Sequence, residues 1–229
     1  MSKIAGCSKR TIEKWCREKY HLTSQYRMEH ATINEKQKDL IIGSILGDGH
    51  IDKREKYPLF IVCHAENQKD YLYYKYNIMK NLCISPPRKY KGGLSKVVDK
   101  ICMTQNYYRF CTRTCYALLK YREMSIIDVV KQLNEYSFSV WMLDDGHCNK
   151  KGYWQLCSPF DVETNNNILD ILYDKFNIRG KLNNNDSRYI QFNAVQSRYI
   201  SNMILDNIPN NMDIIKYKIF KSRKEDVNA

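Results

Sequence analysis

Two aspartates close two look-alike apolar runs. Ile41 to Gly49 reads IIGSILGDG and Phe138 to Gly146 reads FSVWMLDDG, so Asp48 and Asp145 occupy equivalent places and each is followed by glycine. A carboxylate at the foot of an apolar segment needs water, a hydrogen-bond donor or a cation. Taken singly, an Asp-Gly after a helix reads as a cap and turn. Two copies in equivalent positions are candidates for one site. Carboxylates about 4 Å apart repel by roughly 1 kcal/mol even in bulk water, and more where solvent is restricted. A divalent cation relieves that repulsion, and Mg²⁺ takes one or two carboxylates while completing its shell with waters and phosphate oxygens. Set on a basic surface, such a pair is equipment for in-line hydrolysis of a phosphodiester.

The elements that must position these acids are also written twice, because the repeat continues past both motifs. After Asp48 comes GHIDKREKYPLFIVCHA, and after Asp145 comes GHCNKKGYWQLCSP, each a basic turn leading into an alternating strand. NQKDYLYYKYNIMKNL and DVETNNNILDILYDKF follow, both amphipathic at helical spacing. ISPPRKYKGG with KVVDKICMTQ, and IRGKLNNND with RYIQFNAV, supply two further loop or strand segments per half. NYYRFCTRTCYALLKY and QSRYISNMILDNI then read as closing helices. The predicted order in each half is helix, two strands, helix, two strands, helix. Joined by a short link around REMSIIDVVKQLNEY, the halves should pair about a pseudo-twofold through the doubled apolar helix. Gly43 and Gly47, four apart on one face, allow a close approach, and Ser139 offers the small face of the second helix. The predicted segments are 1–34, a basic helical arm; 35–124, the first half; and 125–229, the second.

Charge restricts the partner. Thirty-seven Lys and Arg against 25 Asp and Glu leave a formal +12, spread along the chain, which favours nucleic acid over a membrane surface. No apolar run is long enough for a membrane span, and MSKIAGCSKRTIEKW lacks a signal-peptide core, so an intracellular protein is expected. Nine cysteines are an odd number, and Cys111 and Cys115 lack a second pair at zinc-ligand spacing, so small buried hydrophobes are expected instead of disulfides or zinc. His50 and His147 follow the two Asp-Gly pairs and are read as turn or strand-start residues before general bases.

At IIGSILGDG and FSVWMLDDG the chain resembles the single-chain, two-motif branch of the LAGLIDADG homing endonucleases. ISPPRKY, VWMLDDG and IPNNMDIIKYKI support the likeness, which covers roughly residues 35 to 221. The resemblance implies an α+β fold of two pseudo-symmetric αββαββα halves packed through the LAGLIDADG helices. Each half would lay a four-stranded antiparallel saddle in the DNA major groove. It implies a monomer that makes a double-strand break at a long site in double-stranded DNA, with Mg²⁺ as cofactor and Mn²⁺ able to substitute. The metal ligands would be Asp48 and Asp145, assisted by the carbonyls of Gly47 and Asp144. Lys218 and Arg122 would be the basic residues near the chemistry. An RNA-binding intron maturase on the same scaffold, or a DNA-binding protein without cleavage, is the alternative. Leu46 and Val140 depart from the motif, and Val140 threatens the helix contact unless Gly43 and Gly47 compensate.

On the saddle, alternating strand and turn positions give the expected DNA contacts: Lys53, Arg54, Lys56, Arg88, Lys89, Lys91, Lys96, Lys150, Lys151, Lys181 and Arg188. Most should touch phosphate, and only an arginine bidentate to guanine would specify a base. Outside the resemblance, KIAGCSKRTIEKWCREKY reads as part of a helix-turn-helix, with Ile12 and Trp15 inward and Lys9, Arg10, Lys14 and Arg17 outward. A basic helix packed on the nuclease is the other reading of that arm.

Overall fold

The computed structural model describes residues 8–18, 30–52, 57–97, 100–103, 105–149 and 151–220. Of the sequence-derived contacts, Lys53, Arg54, Lys56 and Lys150 lie outside the described residues. The helices used below are α1 (Lys9–Glu18), α2 (Glu35–Leu46), α3 (Lys69–Met79), α4 (Leu119–Arg122), α5 (Ile126–Lys131), α6 (Glu135–Asp145), α7 (Val162–Phe176), α8 (Ala194–Asn207) and α9 (Asp213–Ile215). The strands are β1 (Gly49–Asp52), β2 (Leu59–Ala65), β3 (Arg88–Tyr90), β4 (Leu94–Val97), β5 (Lys100–Met103), β6 (Tyr107–Cys111), β7 (Gly146–Cys148), β8 (Trp154–Cys157), β9 (Gly180–Leu182) and β10 (Tyr189–Phe192).

Both motif helices start on the same device. Asn34 accepts from the Gln37 amide and the Gln37 side chain answers the Asn34 N–H; Asn134 and Ser137 repeat the arrangement at α6. Each capping box satisfies two of the orphan amide donors at a helix start. The helices then pack on each other along the molecular axis. A Cβ on Gly43 would stand 2.3 Å from the Ser137 carbonyl oxygen and 2.8 Å from Val140 Cβ, so glycine is what admits Val140. The departure from the motif at Val140 is therefore absorbed by Gly43. Ser139, however, does not face α2: its hydroxyl donates to Glu135 O at 2.7 Å and meets Met203 O of α8 at 3.4 Å. Every residue of α6 from Tyr136 to Asp144 is buried, because α2 covers one side and α8 another. Burying a large apolar side chain is worth roughly 1.5–3 kcal/mol, so this helix is the centre of the core.

Each half carries a four-stranded antiparallel sheet with the same connectivity, β1-β2-β6-β3 and β7-β8-β10-β9. In both, the first two strands form a hairpin and the fourth in order inserts beside the second. Two expectations in the first half are corrected. Leu94–Val97 and Lys100–Met103 form a separate two-stranded ribbon, β4 with β5, and are no part of the sheet. Residues 107–111, expected to open a helix, are strand β6, and helix is confined to a short 3₁₀ turn at Tyr116–Leu118 and α4. Along YYRFC, Phe110 packs inward while Arg109 lies on the other face, so a period of two prevails over the helical spacing of its aromatics. α1 forms as expected, with the Ser8 hydroxyl accepting from the Thr11 amide, but Trp15 is 55% exposed and does not point inward.

Candidate active site

The two acids reach the axis by different routes. α2 stops at Leu46, Gly47 turns out of the helix, and Asp48 lies beyond its end. α6 continues through Asp145 itself and is capped by Gly146. A Cβ on Gly47 would stand 2.4 Å from Asp144 Cβ, so the first chain can pass this close only as glycine. Asp144 occupies the motif position equivalent to Gly47, and its carboxylate crosses to the first half, where its Oδ2 accepts from the Asp48 backbone N–H at 3.2 Å. The Lys75 ammonium from α3 donates to both Asp144 oxygens at 2.6 and 2.7 Å, and neither side chain is exposed to solvent. His64, at the end of β2, points its Nδ1 at Asp48 Oδ2, 3.1 Å away, and at Gln68 Oε1, 3.0 Å away. Its Nε2 is buried 3.9 Å from Asp144 Oδ1.

Lys218 lies at the end of α6. Its Nζ donates to the carbonyls of Leu143 at 2.5 Å, Gly146 at 2.7 Å and Asp144 at 3.3 Å, which fixes the C-terminal end of α6. Carbonyls there are orphan acceptors and carry the negative end of the helix dipole, so a cation is well placed. The Asp144 carbonyl suggested as a metal ligand is thus already an acceptor for Lys218. Arg122 sits on α4, and its Nε donates to Glu123 at 2.7 Å.

Electrostatics divide the two carboxyls. Burial opposes ionisation of Asp48, but the hydrogen bond from His64, with the positive charges of Lys75 and Lys218, outweighs it and holds the group below the usual carboxylate range. Asp145 goes the other way: burial, then the charges of Asp48 and Asp144, push it up to about 7 despite Lys218 and Lys75. Burial brings Lys218 down to about 8, against the pull of the three aspartates.

Strand pairing sorts the basic residues by face. In the first sheet Arg88, Arg109, Tyr90, Tyr107 and His50 share the face turned away from the helices. Arg109 lies over the Tyr90 ring, 4.7 Å from its centroid, and donates to the Tyr90 hydroxyl at 3.1 Å. In the second sheet His147, Gln155, Gln191, Tyr189 and Lys181 share the corresponding face. Lys89 falls on the opposite side of β3, opposite Tyr108, and is ion-paired with Glu66. Lys91 and Lys151 are exposed in turns, and Arg188 forms a bidentate pair with Asp186 beside β10. Lys96 lies on the β4–β5 ribbon, off the main sheet. Of the described cysteines, Cys83 and Cys115 are buried, whereas Cys111 is exposed on β6.

Three residues at this surface escaped the sequence reading. Arg109 was hidden by the helix expected over residues 106–121. Lys75 left a trace: it interrupts the apolar stripe of α3, between Tyr71 and Met79 at helical spacing, and a lysine there must have a buried partner. His64 continues the inward alternation of Phe60 and Val62 on β2.

Two antiparallel sheets with open polar faces that carry Arg88, Arg109 and Lys181, joined under paired helices that end in carboxylates, define a nuclease of the two-motif kind. The chain belongs to the LAGLIDADG DNA endonuclease family, which it matches over residues 38–199. It is similar to the probable intron-encoded endonuclease 1 of Wickerhamomyces canadensis, at 26% identity over 178 residues, 71% of this chain and 73% of that one. The cytochrome b mRNA maturase bI2 of Saccharomyces cerevisiae is 27% identical over 178 residues, but the match spans only 41% of the maturase. Among solved structures, the homing endonuclease I-WcaI bound to its DNA recognition sequence superposes with a TM-score of 0.67 at 25% identity, covering 82% of this chain and 88% of that one. The chain is accordingly a DNA-cleaving enzyme that acts on specific sites.

Proposed function

We propose that this endonuclease cuts both strands of its site by Mg²⁺-dependent hydrolysis, with Asp48 and Asp145 as the metal-binding acids. The observation that carries this reading is the gathering of three carboxyls at the foot of the paired helices: Asp144 accepts from the Asp48 backbone N–H at 3.2 Å, Asp145 is the next residue, and burial first, then the charges of Asp48 and Asp144, push Asp145 up to about 7. A hard cation with oxygen ligands fits such a site. Asp48, Oδ2 of which is held by His64, and Asp145 would hold it; Asp144 is committed to Lys75 and the Asp48 amide. When bound, Mg²⁺ stabilises charge on the phosphate and makes water a better nucleophile at neutral pH.

The chain's own residues do the rest. Lys218 pins the last carbonyls of α6 and so fixes where Asp145 stands. Arg88, Arg109 and Lys181 face outward on the two sheets and would carry duplex DNA, with Arg109 held flat by Tyr90 for a bidentate contact to guanine. A DNA-binding protein that does not cut is disfavoured by the presence of both acids.

The test uses a duplex selected from a randomised library by the wild-type protein. Asp48→Asn and Asp145→Asn should each bind it nearly as well as wild type in Ca²⁺ yet lose orders of magnitude in cleavage in Mg²⁺, because only the transition state loses support. Wild-type cutting by either variant overturns the assignment. Binding to structured RNA with no duplex cleavage by wild type would favour the maturase reading instead.

A further inference from the structure

We propose that His64 is a positioning residue for Asp48 alone, so that the two strand-cutting centres are held by different means. The inference rests on the two-acid reading above and deepens it. His64 has no exposed side-chain surface, and its Nδ1 faces two oxygen acceptors, Asp48 Oδ2 at 3.1 Å and Gln68 Oε1 at 3.0 Å. A nitrogen between two acceptors carries a ring proton, so Nδ1 donates. The ring is fixed from three sides: Tyr71 lies against it with centroids 5.1 Å apart, Gln68 reaches back from the 3₁₀ turn that follows β2, and Asp144, locked by Lys75, stands beyond Nε2. A donor fixed this well selects one orientation of a partner carboxylate that is itself 37% exposed and otherwise free to turn.

Among the described residues, the equivalent place in the second half has no such donor. Val62 pairs with Gly49 on β2, and His64 comes two residues later; Leu156 pairs with Gly146 on β8, and the residue two later is Ser158. Its hydroxyl is turned inward to Asn165 Oδ1 at 2.6 Å, and Asn165 in turn ties together the carbonyls of Ser158, Phe160 and Ser187. That position is therefore spent on holding loops together. Asp145 instead depends on its place in the last turn of α6, which Lys218 caps.

Two measurements decide the proposal, one without metal or DNA. In the metal-free protein, long-range ¹H–¹⁵N correlation should show His64 as the Nδ1–H tautomer, with the proton resonance shifted downfield by its hydrogen bond. Asp48→Asn should move that resonance strongly and Asp145→Asn should leave it nearly unmoved. On a supercoiled plasmid carrying the selected site, His64→Ala should accumulate nicked circles. The strand it spares should be the one less affected by Asp48→Asn, and the ratio of the two strand rates should change about tenfold or more. His64→Asn, whose amide nitrogen can take the place of Nδ1, should restore much of the ratio, and His64→Gln, which reaches toward Nε2, should not. An Nε2–H tautomer, a resonance indifferent to Asp48→Asn, or equal slowing of both strands by His64→Ala overturns the proposal. If wild type cuts no site, the function reading fails, while the tautomer measurement still tests the His64–Asp48 contact.

Discussion

The ends of the two motif helices are the instructive comparison. They begin alike, on Asn34 and Asn134 capping boxes, and they finish differently. On one side the helix stops early, glycine turns the chain, and Asp48 is gripped by a histidine, with its own backbone amide held by an aspartate from the other half. On the other side the helix carries Asp145 in its last turn, and a lysine caps the carbonyls around it. An internal repeat can thus keep a pair of acids while replacing everything that supports each one. The replacement is reciprocal: the cavity left by Gly47 is what Asp144 fills.

The sharpest way to break the comparison is to remove Lys75, which belongs to the first half but neutralises an acid of the second. Lys75→Met leaves Asp144 buried and uncompensated, a loss of about 3–5 kcal/mol that urea denaturation should resolve. Lys75→Met with Asp144→Leu should recover more than half of it, because a buried ion pair replaced whole costs little. A loss under about 1 kcal/mol in the single variant would show that Asp144 reaches solvent without its partner.

A smaller effect is expected at the helix crossing. Gly43→Ala should cost about 1–3 kcal/mol, as overpacking does. Adding Val140→Gly should rescue it only in part, since it removes the 2.8 Å clash and leaves the 2.3 Å one with the Ser137 carbonyl. Full rescue would mean that the backbones can separate.

Titration separates the acids next. Asp145 titrates near 7 when folded against 3.8 ordinarily. A raised carboxyl gives stability that is fully present below the unfolded pKa and lost as pH rises through the folded one. In the metal-free protein Asp145→Asn should therefore raise the melting temperature by a few °C at about pH 8, with the gain closing toward about pH 4. Asp48 is lowered, so its contribution is present above its ordinary value and lost as pH falls through the depressed one. Asp48→Asn should destabilise at neutral pH, the opposite sign. Thermal melts across pH check both. The same sign for the two variants would contradict the asymmetry.

The smallest effect tests where the halves remain alike. Asn34→Ala and Asn134→Ala should each cost about 1 kcal/mol by the same denaturation, since each removes one N-cap of the same geometry. A difference beyond about 1 kcal/mol between them would extend the asymmetry to the helix starts.

Much of this was legible in the chain. Amphipathic periodicity marked α3 and α7, because a run with one apolar face has few ways to bury it, and the doubled apolar runs ending in Asp-Gly marked α2 and α6 and the repeat that relates them. Where local signals conflicted, the reading failed: residues 106–121 carry aromatics at spacings that suit helix or strand, and only pairing with β2 and β3 decided for strand over Tyr107–Cys111. Alternation could not say which phase of a strand faces out: register puts Arg88 and Lys181 on the open faces and Lys89 opposite Tyr108 on the other. Residue types along the chain were enough to expect two carboxylates at the ends of paired helices on a basic α+β scaffold. The tertiary structure alone decided that His64 meets Asp48, that Lys75 meets Asp144, that Asp144 fills the gap at Gly47, and that Asp48 and Asp145 are shifted in opposite directions. Those outcomes depend on distances of 2–4 Å between segments remote in sequence and on how much water remains among them, and no local pattern encodes either.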